Sequence, residues 1–116
     1  VVRRALIAAA VSAGLCGPAA AHAFLDHAAP AAGENLHGGP AKIVLHFTEA
    51  LEPSFSTIEV RDDSGASVAG GPVVVQGDEM DIPLKHLAPG RYRVSWRAVS
   101  VDTHRTEGKY NFLVTP

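Results

Sequence analysis

From Ile43 onward, apolar side chains recur at every second position, the period of a strand with one face buried. Ile43, Leu45 and Phe47 alternate with Val44 and His46, and Ile58 and Val60 with Thr57 and Glu59. Met80, Ile82 and Leu84 alternate with Asp81 and Pro83, and Val73 to Val75 is a short β-branched run. The clearest half-buried strand is Tyr92, Val94, Trp96 and Ala98, interleaved with Arg91, Arg93, Ser95 and Arg97. Tyr110, Phe112 and Val114, with Asn111 and Leu113 between them, predict a closing strand. Turn residues separate these runs: Gly38-Gly39-Pro40, Asp62 to Gly65, Gly70-Gly71-Pro72, Gly77-Asp78 and Pro89-Gly90. About seven strands at this spacing predict an all-β antiparallel sandwich. Leu87 to Tyr92, a tight turn followed by a tyrosine, reads either as a tyrosine corner or as an ordinary core tyrosine.

The amino-terminal region breaks the pattern. Arg3 and Arg4 precede an apolar stretch from Ala5 to Leu15, and Ala19-Ala20-Ala21 supplies small residues for cleavage. That order predicts a removable export signal over residues 1–21, with His22 as the first residue of a mature domain, 22–116. The apolar stretch is shorter than the about 20 residues a membrane span needs, so no membrane insertion is expected after cleavage. Cys16 follows Leu15 rather than a small residue and is expected to leave with the signal. The mature chain then has no thiolate for a soft metal or for nucleophilic catalysis. All 12 Asp and Glu lie beyond residue 21, against 8 of the 10 Lys and Arg, so the mature charge is 8 − 12 = −4. An acidic balance of that kind argues against nucleic-acid binding.

Histidine carries the remaining chemistry. An amino-terminal His22 offers both its α-amine and its imidazole Nδ1 to one metal ion, a chelate no internal histidine can make. Asp102 and His104, just past the Tyr92–Ala98 strand, project to one side if the chain stays extended, with Cα atoms roughly 6.6 Å apart. Together the three residues supply three nitrogens and one oxygen, a set suited to tetragonal Cu(II). From spacing alone, a solvated loop aspartate beside a surface histidine is the default reading. His27 and Glu49 are candidates to support the ligands by hydrogen bonding, or else ordinary surface groups. His37, His46 and His86 read as solvated. Arg91, Arg93 and Arg97 line one outer strand face, which suits either water or an acidic partner.

The mature sequence resembles the bacterial periplasmic copper-resistance CopC family over nearly its whole length. The resemblance rests on His22-Ala23-x-Leu25 with Pro30 and Gly33, and on Phe47-Thr48-Glu49. Leu87-Ala88-Pro89-Gly90-x-Tyr92-x-Val94-x-Trp96, Ser100-x-Asp102-x-His104 with Gly108, and Tyr110-x-Phe112-x-Val114 complete it. It implies a seven-stranded Greek-key β-sandwich, immunoglobulin-like or cupredoxin-like. It also implies one Cu(II) per mature chain, held by residues matching His22, Asp102 and His104. Two departures stand out. Thr103 occupies the position between Asp and His where the family commonly has glycine. Met80 is the only methionine, and its alternating position predicts a core residue rather than a Cu(I) ligand.

The leading expectation is therefore a periplasmic Cu(II)-binding protein without catalytic turnover. It would sequester or carry copper and hand it to an inner-membrane transporter of the CopD type. Two alternatives belong to other classes: an oxidative copper enzyme using an amino-terminal histidine brace, and a metal-free immunoglobulin-like interaction module.

Overall fold

The alternating segments form strands wherever one side of the alternation finds a second sheet to cover it. The structure is a computed structural model that describes residues 24–116; the expected signal, Cys16 and His22 lie outside the described residues. Eight strands follow one another: β1 (Leu25–Ala29), β2 (Asn35–His37), β3 (Lys42–Phe47), β4 (Thr57–Asp62), β5 (Val74–Gln76), β6 (Glu79–Pro83), β7 (Gly90–Val99) and β8 (Arg105–Thr115). A single 3-10 turn, Pro53–Phe55, precedes β4. One sheet has the order β1-β3-β6-β5 and the other β2-β8-β7-β4. The chain changes sheet at every connection from β1 to β5 and again between β6 and β7, so neither sheet is a simple meander.

The sandwich is the expected one, with a difference in detail. β2 is a three-residue strand that pairs parallel to β8, and every other strand pairing is antiparallel. Neither β1 nor β2 announces itself by alternation. β1 carries a bulge between Leu25 and His27, which breaks the two-residue period. β2 is too short to show a period at all.

The inward side chains are those the alternation selects. Ile43, Leu45, Val60, Met80, Val94, Ala98 and Phe112 have no exposed surface, and Trp96 is buried across from Gly108 on β8. A Cβ at Gly108 would lie 2.7 Å from the Trp96 ring, so only glycine lets the indole lie across β8. Tyr92 donates its hydroxyl proton to the Ala88 carbonyl at 2.5 Å, four residues back, and so forms a tyrosine corner. Met80 is a core residue, as expected. The two sheets are also tied by Tyr110 of β8, which donates to the Pro30 carbonyl just beyond β1 at 2.8 Å.

Candidate metal centre

Two connections at one end of the sandwich converge. Between β7 and β8 the chain reverses within Ser100–His104: the Ser100 N–H donates to the His104 carbonyl at 2.8 Å, and the Thr103 N–H to the Ser100 carbonyl at 2.9 Å. Thr103 adopts φ = 73°, in the left-handed region that favours glycine. Asp102 and His104 are thus brought to one side by a tight turn, which replaces the extended chain expected from their spacing. The neighbouring connection buttresses the turn. The Val101 N–H donates to the Ala50 carbonyl at 3.0 Å, and the Glu52 N–H to the Val99 carbonyl at 2.8 Å.

Glu49 arrives on that neighbouring connection. Glu49, Asp102 and His104 each present one donor atom, and the three atoms lie within 4.8 Å of one another. His104 Nδ1 is 3.2 Å from Asp102 Oδ1 and 4.0 Å from Glu49 Oε1. Two donors at right angles about an ion bound at about 2.0–2.1 Å lie about 2.9 Å apart, so the Asp102–His104 pair is already near coordinating separation. Glu49 Oε1 is closed off from solvent and has no hydrogen-bond partner among the described residues. A buried carboxylate oxygen left without a donor is costly, and a cation at this position removes that cost. Two oxygens and an imidazole nitrogen fit a borderline divalent ion such as Cu(II).

Ser100 organises the turn, a role the sequence reading does not assign to it. It is fully buried; its hydroxyl donates to Asp102 Oδ1 and accepts from the His104 N–H. This hydroxyl, above all, holds the Asp102 carboxyl below its ordinary range, against the cost of burial and with help from the nearby His104 charge. Asp102 is therefore kept anionic, the form a metal needs. The signal available in the sequence was a serine two residues before an aspartate at a strand end, a common local hydrogen-bonding pattern.

Of the residues singled out from the sequence, Asp102, His104 and Glu49 come together. His27 does not join them: its ring stacks on His46, with centroids 4.2 Å apart, and its Nδ1 lies 2.9 Å from Asp26 Oδ2. His46 is accordingly half-buried rather than simply solvated. His37 and His86 are exposed. Arg91, Arg93 and Arg97 are exposed on the outer face of β7, with Arg91 3.9 Å from Asp63 and Arg97 3.5 Å from Glu107.

Comparison with known proteins identifies the family and the fold. The family model of the CopC domain matches residues 25–115. The crystal structure of CopC from Methylosinus trichosporium OB3b superposes with a TM-score of 0.75 at 35% identity, covering 82% of this chain and 95% of that one. Copper resistance protein C of Pseudomonas syringae pv. tomato is 36% identical over 105 residues, 83% of this chain and 82% of the relative. A longer protein, copper transport protein CutJ of Bacillus subtilis, is 31% identical over 98 residues, 81% of this chain but 18% of its own length. On this sequence match and this shared fold, the chain belongs to the CopC family.

Proposed function

We propose that the chain, processed after Ala21, binds one Cu(II) through the α-amine and imidazole of His22, the Asp102 carboxylate and the His104 imidazole, with Glu49 beside them. The observation that carries this reading is the convergence of the Glu49, Asp102 and His104 donor atoms within 4.8 Å of one another. The Phe24 carbonyl accepts a hydrogen bond from the Thr48 N–H at 2.8 Å, one residue from Glu49. The Phe24 ring is buried edge-on against Phe47, with centroids 5.3 Å apart. Phe24, two residues after His22 in the sequence, is thus anchored beside Glu49, which supports His22 as the residue that completes the set. Adding its two nitrogens gives Cu(II) three nitrogens and at least one carboxylate oxygen, a set that favours the oxidised ion over Cu(I).

The family is one of copper-binding resistance proteins, not of enzymes, which sets aside the oxidative copper enzyme. Sequestration or carriage of copper in the periplasm, followed by release to an inner-membrane transporter of the CopD type, is the role that fits. No helix of the described residues is long and apolar enough to cross a membrane. The CutJ match supports the link to transport, because a domain of this kind forms a small part of a larger copper transport protein.

The test is a Cu(II) competition titration with electron paramagnetic resonance, on protein beginning at His22. One tight equivalent with a tetragonal, nitrogen-rich spectrum is expected. His104→Ala and Asp102→Ala each lower the affinity by at least about 100-fold, more than the loss of a hydrogen-bonding support behind a ligand. Unchanged affinity in both variants would overturn the assignment.

A further inference from the structure

The outer face of the β1-β3-β6-β5 sheet carries a second group of metal-ligating side chains, separate from the turn at Asp102. His27 on β1, His46 on β3 and Glu79 on β6 form one cross-strand row, in register as His27↔His46 and His46↔Glu79. The bulge between Leu25 and His27 falls next to this row, and bulges re-aim the side chains beside them. The two imidazoles stack with centroids 4.2 Å apart and planes 16° from parallel. His27 Nδ1 is hydrogen-bonded to Asp26 Oδ2 at 2.9 Å, whereas Glu79 Oε1 lies 3.7 Å from His46 Nδ1, close enough for charge attraction but not for a hydrogen bond.

We propose that His27 and His46 form an independent site for a divalent first-row transition ion, bound through their Nε2 atoms. A carboxylate facing Nδ1 fixes the tautomer with its proton on Nδ1, which leaves the lone pair on Nε2. A carboxylate that orients the ring in this way recurs behind metal-bound histidines. Here it stands behind His27, with His46 on the adjacent strand, and both rings are reachable: the side chains of His27 and His46 are 62% and 34% exposed. Parallel rings do not aim both Nε2 lone pairs at one point. The imidazole χ2 torsion is broad and soft, so a modest opposite tilt of the exposed ring and its neighbour closes them on an ion. Two neutral nitrogens with water completing the shell bind Cu(II) best among these ions and Zn(II) after it. This site lacks the chelating terminus and the coordinating carboxylates of the Asp102 turn, so it is the weaker of the two.

The probe is a Cu(II) salt, titrated by calorimetry and by paramagnetic broadening of the histidine ring resonances, into protein beginning at His22. The expected result is a second equivalent, at least ten-fold weaker than the first, that broadens His27 and His46. His27→Ala, at an exposed position that does not threaten the core, abolishes the second equivalent and leaves the first within two-fold. Asp26→Asn weakens the second equivalent by about 10- to 100-fold. His104→Ala weakens the first equivalent and leaves the second, so the two sites fail separately. A wild-type protein that takes up a single equivalent, or a second equivalent that survives His27→Ala, overturns the proposal.

Discussion

Thr103 shows how one residue sets the geometry of the centre. A β-branched residue at φ = 73° is held in a region that costs an L-residue roughly 1–2 kcal/mol. The turn needs that conformation to bring Asp102 and His104 together, which is a physical reason for glycine to suit this position. Glycine would relieve the strain but lose more backbone freedom on folding, about 0.5–1 kcal/mol. Thr103→Gly is therefore expected to raise the unfolding free energy by up to about 1 kcal/mol with Cu(II) binding retained, as read from urea midpoints; a lower midpoint would contradict the strain argument. Asp102 and His104 were legible as a pair from their spacing. The means of their convergence was not, because a two-residue period carries no sign of a positive φ. Ser100 was overlooked for a related reason, since its importance lies in a buried hydroxyl that bridges Asp102 and the His104 N–H.

At the scale of elements, β3, β4, β6, β7 and β8 were legible because each buries one face, and the alternation records that directly. β1 and β2 were not, since a bulge interrupts one and the other is three residues long. His27 consequently could not be matched with His46, a pairing that only the β1–β3 register reveals. The tie between β8 and the end of β1 yields a pH prediction. Burial, with the Glu34 charge adding to it, pushes the Tyr110 hydroxyl up to about 12. A folded-state value above the ordinary 10 means that this group's stabilising contribution is complete below pH 10 and is lost as pH climbs towards 12. Alkaline unfolding followed by circular dichroism is expected to steepen across that window, and Tyr110→Phe to remove Tyr110's share of the steepening. An identical alkaline profile in the variant would show that the tie does not carry it.

For the whole molecule, the core and the metal centre are separable. The buried residues run through both sheets, from Ile43 and Leu45 on one to Val94 and Phe112 on the other, and Glu49, Asp102 and His104 lie outside that core. Chelator-treated protein is therefore expected to keep its near-ultraviolet circular dichroism and a cooperative thermal transition. Copper at 100 times its dissociation constant adds about 2.7 kcal/mol by mass action. Collapse of the tertiary signal on metal removal would contradict this separation.

The most direct test of the central proposal compares protein that begins at His22 with protein that carries one additional glycine before it. The extension leaves Glu49, Asp102 and His104 in the chain and turns the His22 α-amine, which would complete the proposed chelate, into a peptide nitrogen. Competition titration with Cu(II) is predicted to show a large loss of affinity in the extended form, with fewer nitrogens in its electron paramagnetic resonance spectrum. Equal affinities and identical spectra would contradict it.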